Sequence, residues 1–358
     1  MNVMLLVPAL EEGGVERHVV SLASGLSKDG HAVWVVSSGG AMAERLPKDV
    51  RHVTMPVHRK NPLAGMHCAL RIARLARAHD IRTLHAHSRV PAWICLLARS
   101  LSGARFVFTA HARYSLNLGL WPLSRADGVI CVSGAVKEHL AGRLPRSAPV
   151  EVIYNALTDD VLPWKGGTPS GEGARRLLYL GRLAPKKGPM VLLEALALLR
   201  RAGETGWRLD VVGEGPMRGE LERRAGKTDL SGMVRFHGHS DEGGKWMARC
   251  DLFCFPSLDE GMGLALLEAL ASGVPTLASK LPAVQEIVSG TGLLPPGDVR
   301  AWAEAIGRYL RKDAVPKLAP SVTLPSPNEM AKAVERFYRK ASDRPSKRKR
   351  PGNPPQFR

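Results

Sequence analysis

In PSLDEGMGLALLEALASGVP (residues 256–275), Glu260 directly precedes the pair Gly261 and Gly263, and Glu268 stands inside the apolar run that follows. A carboxylate in a run that reads as a buried helix is costly unless something partners it. Eight helical residues span ~12 Å, so the two glutamates suit one long ligand better than one small group. A sugar–diphosphate–ribose unit meets that demand. Carboxylates accept from its hydroxyls at both ends, and free N–H groups at a glycine-flanked helix start suit its anionic middle.

Other stretches carry further candidates. YLGRLAPKKG sets Arg182 and Lys187 just past a strand. Arginine grips phosphate oxygens in pairs and lysine adds a point charge, although a basic loop of this kind is often only solvated. FVFTAHARYS puts His111 beyond another strand end, where it either hydrogen-bonds a sugar or fills an ordinary turn. His85 and His87 in TLHAHS sit similarly, but two histidines at i, i+2 without further ligands are weak grounds for a metal. Gly13 and Gly14, between the first strand and the first helix, form a plain turn or an anion-binding helix start. In VVGEGPMRGELE the last glycine falls one place beyond the dinucleotide spacing, and the next strand, VRFHG, ends without an acidic ribose partner. A nicotinamide-dependent dehydrogenase is therefore disfavoured, and without a GxxxxGK[ST] loop a P-loop NTPase is excluded.

The elements that must hold these residues alternate strand and helix, which implies βαβ units and parallel sheets covered on both faces. Strands are predicted at 3–7, 32–36, 83–86, 106–109, 128–132 and 150–153, with helices near 15–27, 63–79, 91–101 and 135–140. The alternation breaks at VLPWKGGTPSGEGAR (161–175), a linker composition. It resumes with strands at 177–180, 208–212, 234–236, 252–255, 276–278 and 293–294, and helices near 189–201, 219–225, 264–272, 284–288 and 302–310. A final helix is predicted at 328–340, after the Pro-rich LAPSVTLPSP. The expected architecture is α/β, with two doubly wound Rossmann-like domains facing across a cleft.

The chain has 358 residues and a formal charge of +18, and Arg344, Lys347, Arg348, Lys349, Arg350 and Arg358 lie in its last sixteen residues against Asp343 alone. That balance favours anionic partners: nucleotide phosphates, an acidic lipid surface, a phosphorylated glycan or nucleic acid. Arg71, Arg74 and Arg77 fall on one helical face, either solvated or set against an anionic membrane. The KRKR tail has only Phe357 nearby to stack on bases, so no specific nucleic-acid recognition is expected. No apolar stretch reaches ~18 residues, and MNVMLLVPAL reads as a strand rather than a signal peptide. A cytoplasmic protein is expected, with peripheral attachment to the inner face of a membrane possible. Five cysteines, none in a CxxC pair, read as buried thiols.

From GGVERHVVSLA through VIYNAL and GRLAPKKG to EGMGLALLEALASGVP, the chain resembles the family 4 glycosyltransferases of GT-B architecture. The resemblance implies an acceptor domain at 1–160, a linker at 161–175 and a nucleotide-sugar donor domain at 176–325. A helix at 326–342 would pack back on the first domain, ahead of a basic disordered tail at 343–358. It implies retaining transfer of a hexosyl group from a nucleotide-sugar donor to a glycan or lipid-linked acceptor, as in lipopolysaccharide or other cell-envelope glycan synthesis. It implies no cofactor and no metal, and the sequence has no D-x-D motif. The catalytic set would be Glu260 on the donor sugar's hydroxyls, His111 touching that sugar, and Arg182 and Lys187 on the diphosphate. Gly14, Glu214, Glu268 on the ribose, and the backbone N–H groups of Met262, Gly263 and Leu264 would complete donor binding. VIYNALTDD departs from the pattern by lacking the glycine that often follows the asparagine, which concerns a local turn. Competing readings are a GT-B nucleotide-sugar epimerase or hydrolase, and a non-catalytic basic protein bound to membrane or nucleic acid.

Overall fold

The computed structural model describes residues 1–11, 13–157, 161–166 and 173–342. The predicted tail at 343–358 lies outside the described residues. Two compact units are present: Met1–Ala156 with the chain from Pro325 onward, and Leu157–Leu324.

Unit 1 carries β1 (Asn2–Leu6), α1 (Gly14–Lys28), β2 (Ala32–Ser37), β3 (Arg51–Thr54), α2 (Pro62–Ala78), β4 (Thr83–Ala86) and α3 (Arg89–Ser102). β5 (Arg105–Ala110), β6 (Gly128–Cys131), α4 (Gly134–His139) and β7 (Val150–Val152) follow. Its sheet is parallel throughout, in the order β3-β2-β1-β4-β5-β6-β7. The inner strands read as unbroken apolar runs because helices cover both faces, and β4 and β6 are buried along their whole length. β3, with the sequence RHVT, is an edge strand that the reading by apolar runs passed over.

Unit 2 carries β8 (Arg175–Leu180), α5 (Pro189–Arg201), β9 (Trp207–Val212), α6 (Arg218–Ala225), β10 (Val234–Gly238), α7 (Gly243–Arg249), β11 (Leu252–Phe255) and α8 (Leu264–Ser272). β12 (Thr276–Ser279), α9 (Pro282–Ile287), β13 (Val288–Gly290), β14 (Leu293–Leu294), α10 (Val299–Leu310) and β15 (Leu318–Pro320) complete it. The main sheet runs β10-β9-β8-β11-β12-β14, all parallel. Three details differ from expectation. Helix α9 ends at Ile287, and Val288 instead opens an antiparallel pair with β15 inside the Pro-rich segment. Helix α7 begins on two glycines, which hid it from periodicity. Residues 161–166, predicted as linker, are tied to unit 2: the Trp164 amide donates to the Ser272 carbonyl at 2.8 Å and its indole to the Cys250 carbonyl at 2.8 Å.

The last helix, α11 (Pro327–Ser342), belongs to unit 1. Met330, Val334, Phe337 and Tyr338 join Val19, Leu22 and Leu26 of α1 in one core. Phe337 rests where a Cβ on Gly128 would come within 2.7 Å of its ring, so that glycine admits the aromatic to the sheet. Loss of a buried phenyl group costs about 3–5 kcal/mol, and Phe337 alone is therefore a large share of what holds α11 in place. The five cysteines are all free and buried.

Candidate active site

In a doubly wound sheet, ligands sit beyond the carboxyl ends of the strands where the strand order reverses. In unit 2 that point lies between β8 and β11, and two loops flank it. The first, after β8, holds Arg182 and a short 3-10 turn, Pro185–Lys187. The second, after β11, runs from Pro256 to Gly263. They are laced together, since the amides of Leu258 and Asp259 both donate to the Lys186 carbonyl, at 2.8 and 3.2 Å. Above that lacing Lys186 pairs with Asp259 at 2.5 Å.

Gly188 makes this approach feasible. Its φ is +63°, and a Cβ there would stand 2.0 Å from the Pro256 carbonyl oxygen. The result is that Lys187 Nζ reaches Glu260 Oε1 at 2.6 Å, and the Ser257 hydroxyl donates to the same oxygen at 2.8 Å. The Glu260 side chain is 7% exposed and that of Lys187 34% exposed. Arg182 is exposed, and its carbonyl accepts from the Tyr179 hydroxyl at 3.0 Å. Burial, together with the nearby charge of Glu260, holds that phenol well above its usual range, so it acts only as a neutral donor.

Gly263 caps α8 in the left-handed region at φ +86°, its Cα side turned against the Phe255 ring. Met262 is buried and Leu264 half-buried. Helical rise applies only from Leu264 onward, so Glu260 and Glu268 are not separated by two turns of helix as the spacing implied; Glu268 lies little more than one turn into α8. It is buried, and its Oε2 lies 4.0 Å from where a Cβ on Gly243 would sit, at the start of α7. Glu214 is apart from this group in character: it is half-exposed and pairs with Arg218.

In unit 1 the reversal lies between β1 and β4. Gly14 is the first residue of α1, and the Gly13 carbonyl accepts from the Arg17 amide at 3.0 Å. Here the structure assembles histidines. His87 Nδ1 and His111 Nε2 are 3.1 Å apart. The His18 ring stands edge-on to His111 at 4.7 Å between centroids and 5.4 Å from His87. His87 Nε2 is buried with no hydrogen-bond partner. Burial drives His18 down to about 4, with a contact from Asn155 offsetting it in part. Burial first, and the neighbouring rings second, push His87 and His111 well below the ordinary histidine value. The cluster is thus neutral at physiological pH.

The Glycosyltransferase Family 4 profile matches residues 12–161, and the Glycosyl transferases group 1 profile matches residues 174–312. The chain belongs to the family 4 glycosyltransferases. This glycosyltransferase is 28% identical over 328 residues to the phosphatidyl-myo-inositol mannosyltransferase of Mycobacterium leprae, across 85% of each chain. It is 27% identical over 348 residues to the glycogen synthase of Mycobacterium tuberculosis, across 85% of this chain and 84% of that one. The crystal structure of Anabaena HepE in complex with UDP-glucose superposes with a TM-score of 0.75 at 19% identity, covering 96% of this chain and 97% of that one, which establishes the shared GT-B fold.

Sequence reasoning missed several residues of these two candidate clusters. The Lys186–Asp259 clamp depends on two loops 73 positions apart coming together, Ser257 bonds Glu260 within one of those loops, and only PSLDEG adjoining a strand end hinted at either. His18 lies within the helix predicted near 15–27 and was not singled out. The pair His85 and His87, read alike, is divided by the structure. His85 bonds Tyr338 at 2.6 Å and Thr109 at 2.7 Å and so anchors α11, whereas His87 joins the cluster. Ring nitrogens of His18, His87 and His111 lie within 4.8 Å of one another. Being neutral, they could share a transition-metal ion at ~2.0–2.1 Å per nitrogen after ring rotation.

Proposed function

We propose that this glycosyltransferase transfers a hexosyl group from a nucleotide-sugar donor to a glycan or lipid-linked acceptor with retention of configuration, in cell-envelope glycan synthesis such as that of lipopolysaccharide. The observation that carries the reading is the Lys187–Glu260 pair at 2.6 Å, held at the switch point of unit 2 and joined by Ser257. Without donor the two charges satisfy each other. A bound diphosphate takes over Lys187, with Arg182 free to swing in from solvent, and donor-sugar hydroxyls donate to Glu260. The backbone N–H groups of Met262, Gly263 and Leu264 at the start of α8 add partial positive charge. As the glycosidic bond breaks, negative charge grows on the diphosphate, and stabilising that charge is the main catalytic task. Arg182, Lys187 and the helix start perform it here in place of a divalent cation. Glu268 holds the ribose, Glu214 lies at the edge of the donor site, and His111, a neutral imidazole, hydrogen-bonds the sugar, with Gly14 near the phosphates.

Two curated relatives support a glycosyl acceptor, one named for a phosphatidyl-inositol and one for glycogen. The lipid-named relative and the basic surface favour an envelope acceptor at a membrane. A thermal-shift screen across UDP-, GDP-, ADP- and CMP-sugars tests donor binding, since a ligand at ~100 times its dissociation constant adds about 2.7 kcal/mol. Stabilisation by none of them overturns the reading. Product analysis then decides the rest: a free sugar or an epimer in place of a glycoside overturns transfer, and an inverted anomer overturns retention. Activity unaffected by EDTA is expected.

A further inference from the structure

Exposed large apolar side chains are concentrated in one part of unit 1. Of thirteen such residues among the described ones, nine lie between Leu63 and Trp121. On α2 the solvent-facing stripe is Leu63, Met66 and Leu70, continued by Arg74 and Arg77, with Arg71 beside it. On α3 it is Trp93, Leu97 and Leu101, at i, i+4 and i+8, where a helix facing water carries polar residues. The 3-10 segment Leu118–Arg125 and the turn before it add Leu116, Leu118 and Trp121. Trp121 stacks on Trp93 with ring centroids 5.4 Å apart, joining that segment to α3. Arg125 lies over the Trp121 ring at 5.2 Å.

Charge follows the same stretch. Between Arg51 and Ala126 the sequence holds twelve lysines and arginines and a single acidic residue, Asp80. Asp80 pairs with Arg82. Among the described residues no carboxylate pairs with Arg71, Arg74 or Arg77. A contiguous apolar patch marks an interaction surface. A protein partner's interface core is depleted in charge, whereas tryptophans flanked by unpaired arginines suit the boundary between lipid headgroups and acyl chains.

We propose that the exposed faces of α2, α3 and the Leu118–Arg125 segment dock on an anionic lipid bilayer, with Trp93, Trp121, Leu97, Leu101 and Leu118 entering the headgroup boundary and Arg71, Arg74 and Arg77 meeting lipid phosphates. The surface deepens the envelope-acceptor reading and rests on it for its purpose, but its residues are separate from the donor site, so binding and transfer are measured independently.

The test is co-sedimentation of the full chain with vesicles of phosphatidylcholine alone and of phosphatidylcholine mixed with phosphatidylglycerol. The expected result is pelleting with the mixed vesicles only, weakening with salt as the Debye length falls from ~30 Å at 0.01 M to ~8 Å at 0.15 M. Arg71→Gln/Arg74→Gln/Arg77→Gln lowers the partition coefficient on the order of a hundredfold at low salt. Trp93→Ser/Trp121→Ser lowers it on the order of tenfold or more. Both variants keep the parent melting temperature and its shift with donor, which separates loss of docking from failure of the donor reading. Three outcomes overturn the proposal. One is no pelleting with anionic vesicles. Another is pelleting that both variants retain and that disappears on replacing Lys347, Arg348, Lys349 and Arg350 by glutamine. The third is a concentration-dependent dimer, dissolved by Trp93→Ser/Trp121→Ser, which would show that the face covers a second copy.

Discussion

Unit 1 and unit 2 share a topology, and each gathers buried polar side chains where its strand order reverses, yet they satisfy those groups in opposite ways. Unit 2 keeps its charges and pairs them, with Glu260 against Lys187 and Lys186 against Asp259. Unit 1 removes charge altogether, since burial holds His18, His87 and His111 neutral. Both are answers to the cost of an unpaired buried charge. Under the proposed function, the difference matches what each half receives. An ion pair can be exchanged for an ionic ligand, and neutral imidazoles offer one donor and one acceptor each to uncharged hydroxyls.

The largest effect that would break this contrast is at Lys187. Lys187→Ala is expected to lower kcat/KM about 10²–10³-fold in a transfer assay, the usual loss for one group that stabilises developing charge. It should also destabilise unit 2 by roughly 1–3 kcal/mol rather than the full cost of a buried pair, because Lys187 is 34% exposed. Adding Glu260→Gln should restore much of that stability while leaving activity low. Next is the pH response of unit 1. His18 has a folded value near 4 against 6.5 in the unfolded chain, so between those values the unfolded chain takes up a proton that the folded one refuses. Stability is full above about pH 6.5 and falls as pH drops towards 4, by roughly 3 kcal/mol from His18 alone. Urea midpoints stepped through that window should show the fall, and His18→Gln should remove the His18 share of it while His87 and His111, also held low by burial, supply the rest.

A smaller effect concerns the glycine that lets the two loops of unit 2 meet. Gly188→Ala should cost roughly 1–3 kcal/mol through left-handed strain and its clash with the Pro256 carbonyl. Gly203→Ala, at φ +91° with nothing within 4 Å, should cost only about 1 kcal/mol. Smallest of all, Glu214→Gln should leave the melting temperature unchanged, since the Glu214–Arg218 pair is solvent-exposed. A few-fold weakening of donor binding, read by titration, is expected there.

The fold was legible wherever a strand lies inside a sheet. β4 and β11 coincide with the predicted strands because each is buried along its whole length between covering helices. The edge strand β3 and the short β15 escaped, since Arg51, His52 and Pro320 supply no apolar run. In the site, Lys187 and Glu260 stood out because a charge beside glycines at a strand end needs a reason. Their contact did not stand out, as it depends on Gly188 permitting an approach between loops distant in sequence. The histidine cluster was hidden for a related cause: His18, His87 and His111 come from three separate elements, and no spacing along the chain links them.

Helix α11 completes a core begun by residues at the other end of the chain. On a ribosome adding ~5–20 residues per second, the groove on α1 and β6 that receives Phe337 and Tyr338 waits roughly 10–30 s while unit 2 emerges as one uninterrupted segment. The domain translated second can therefore mature first, and the one translated first spends that interval with raw apolar surface on display, a natural client for chaperones.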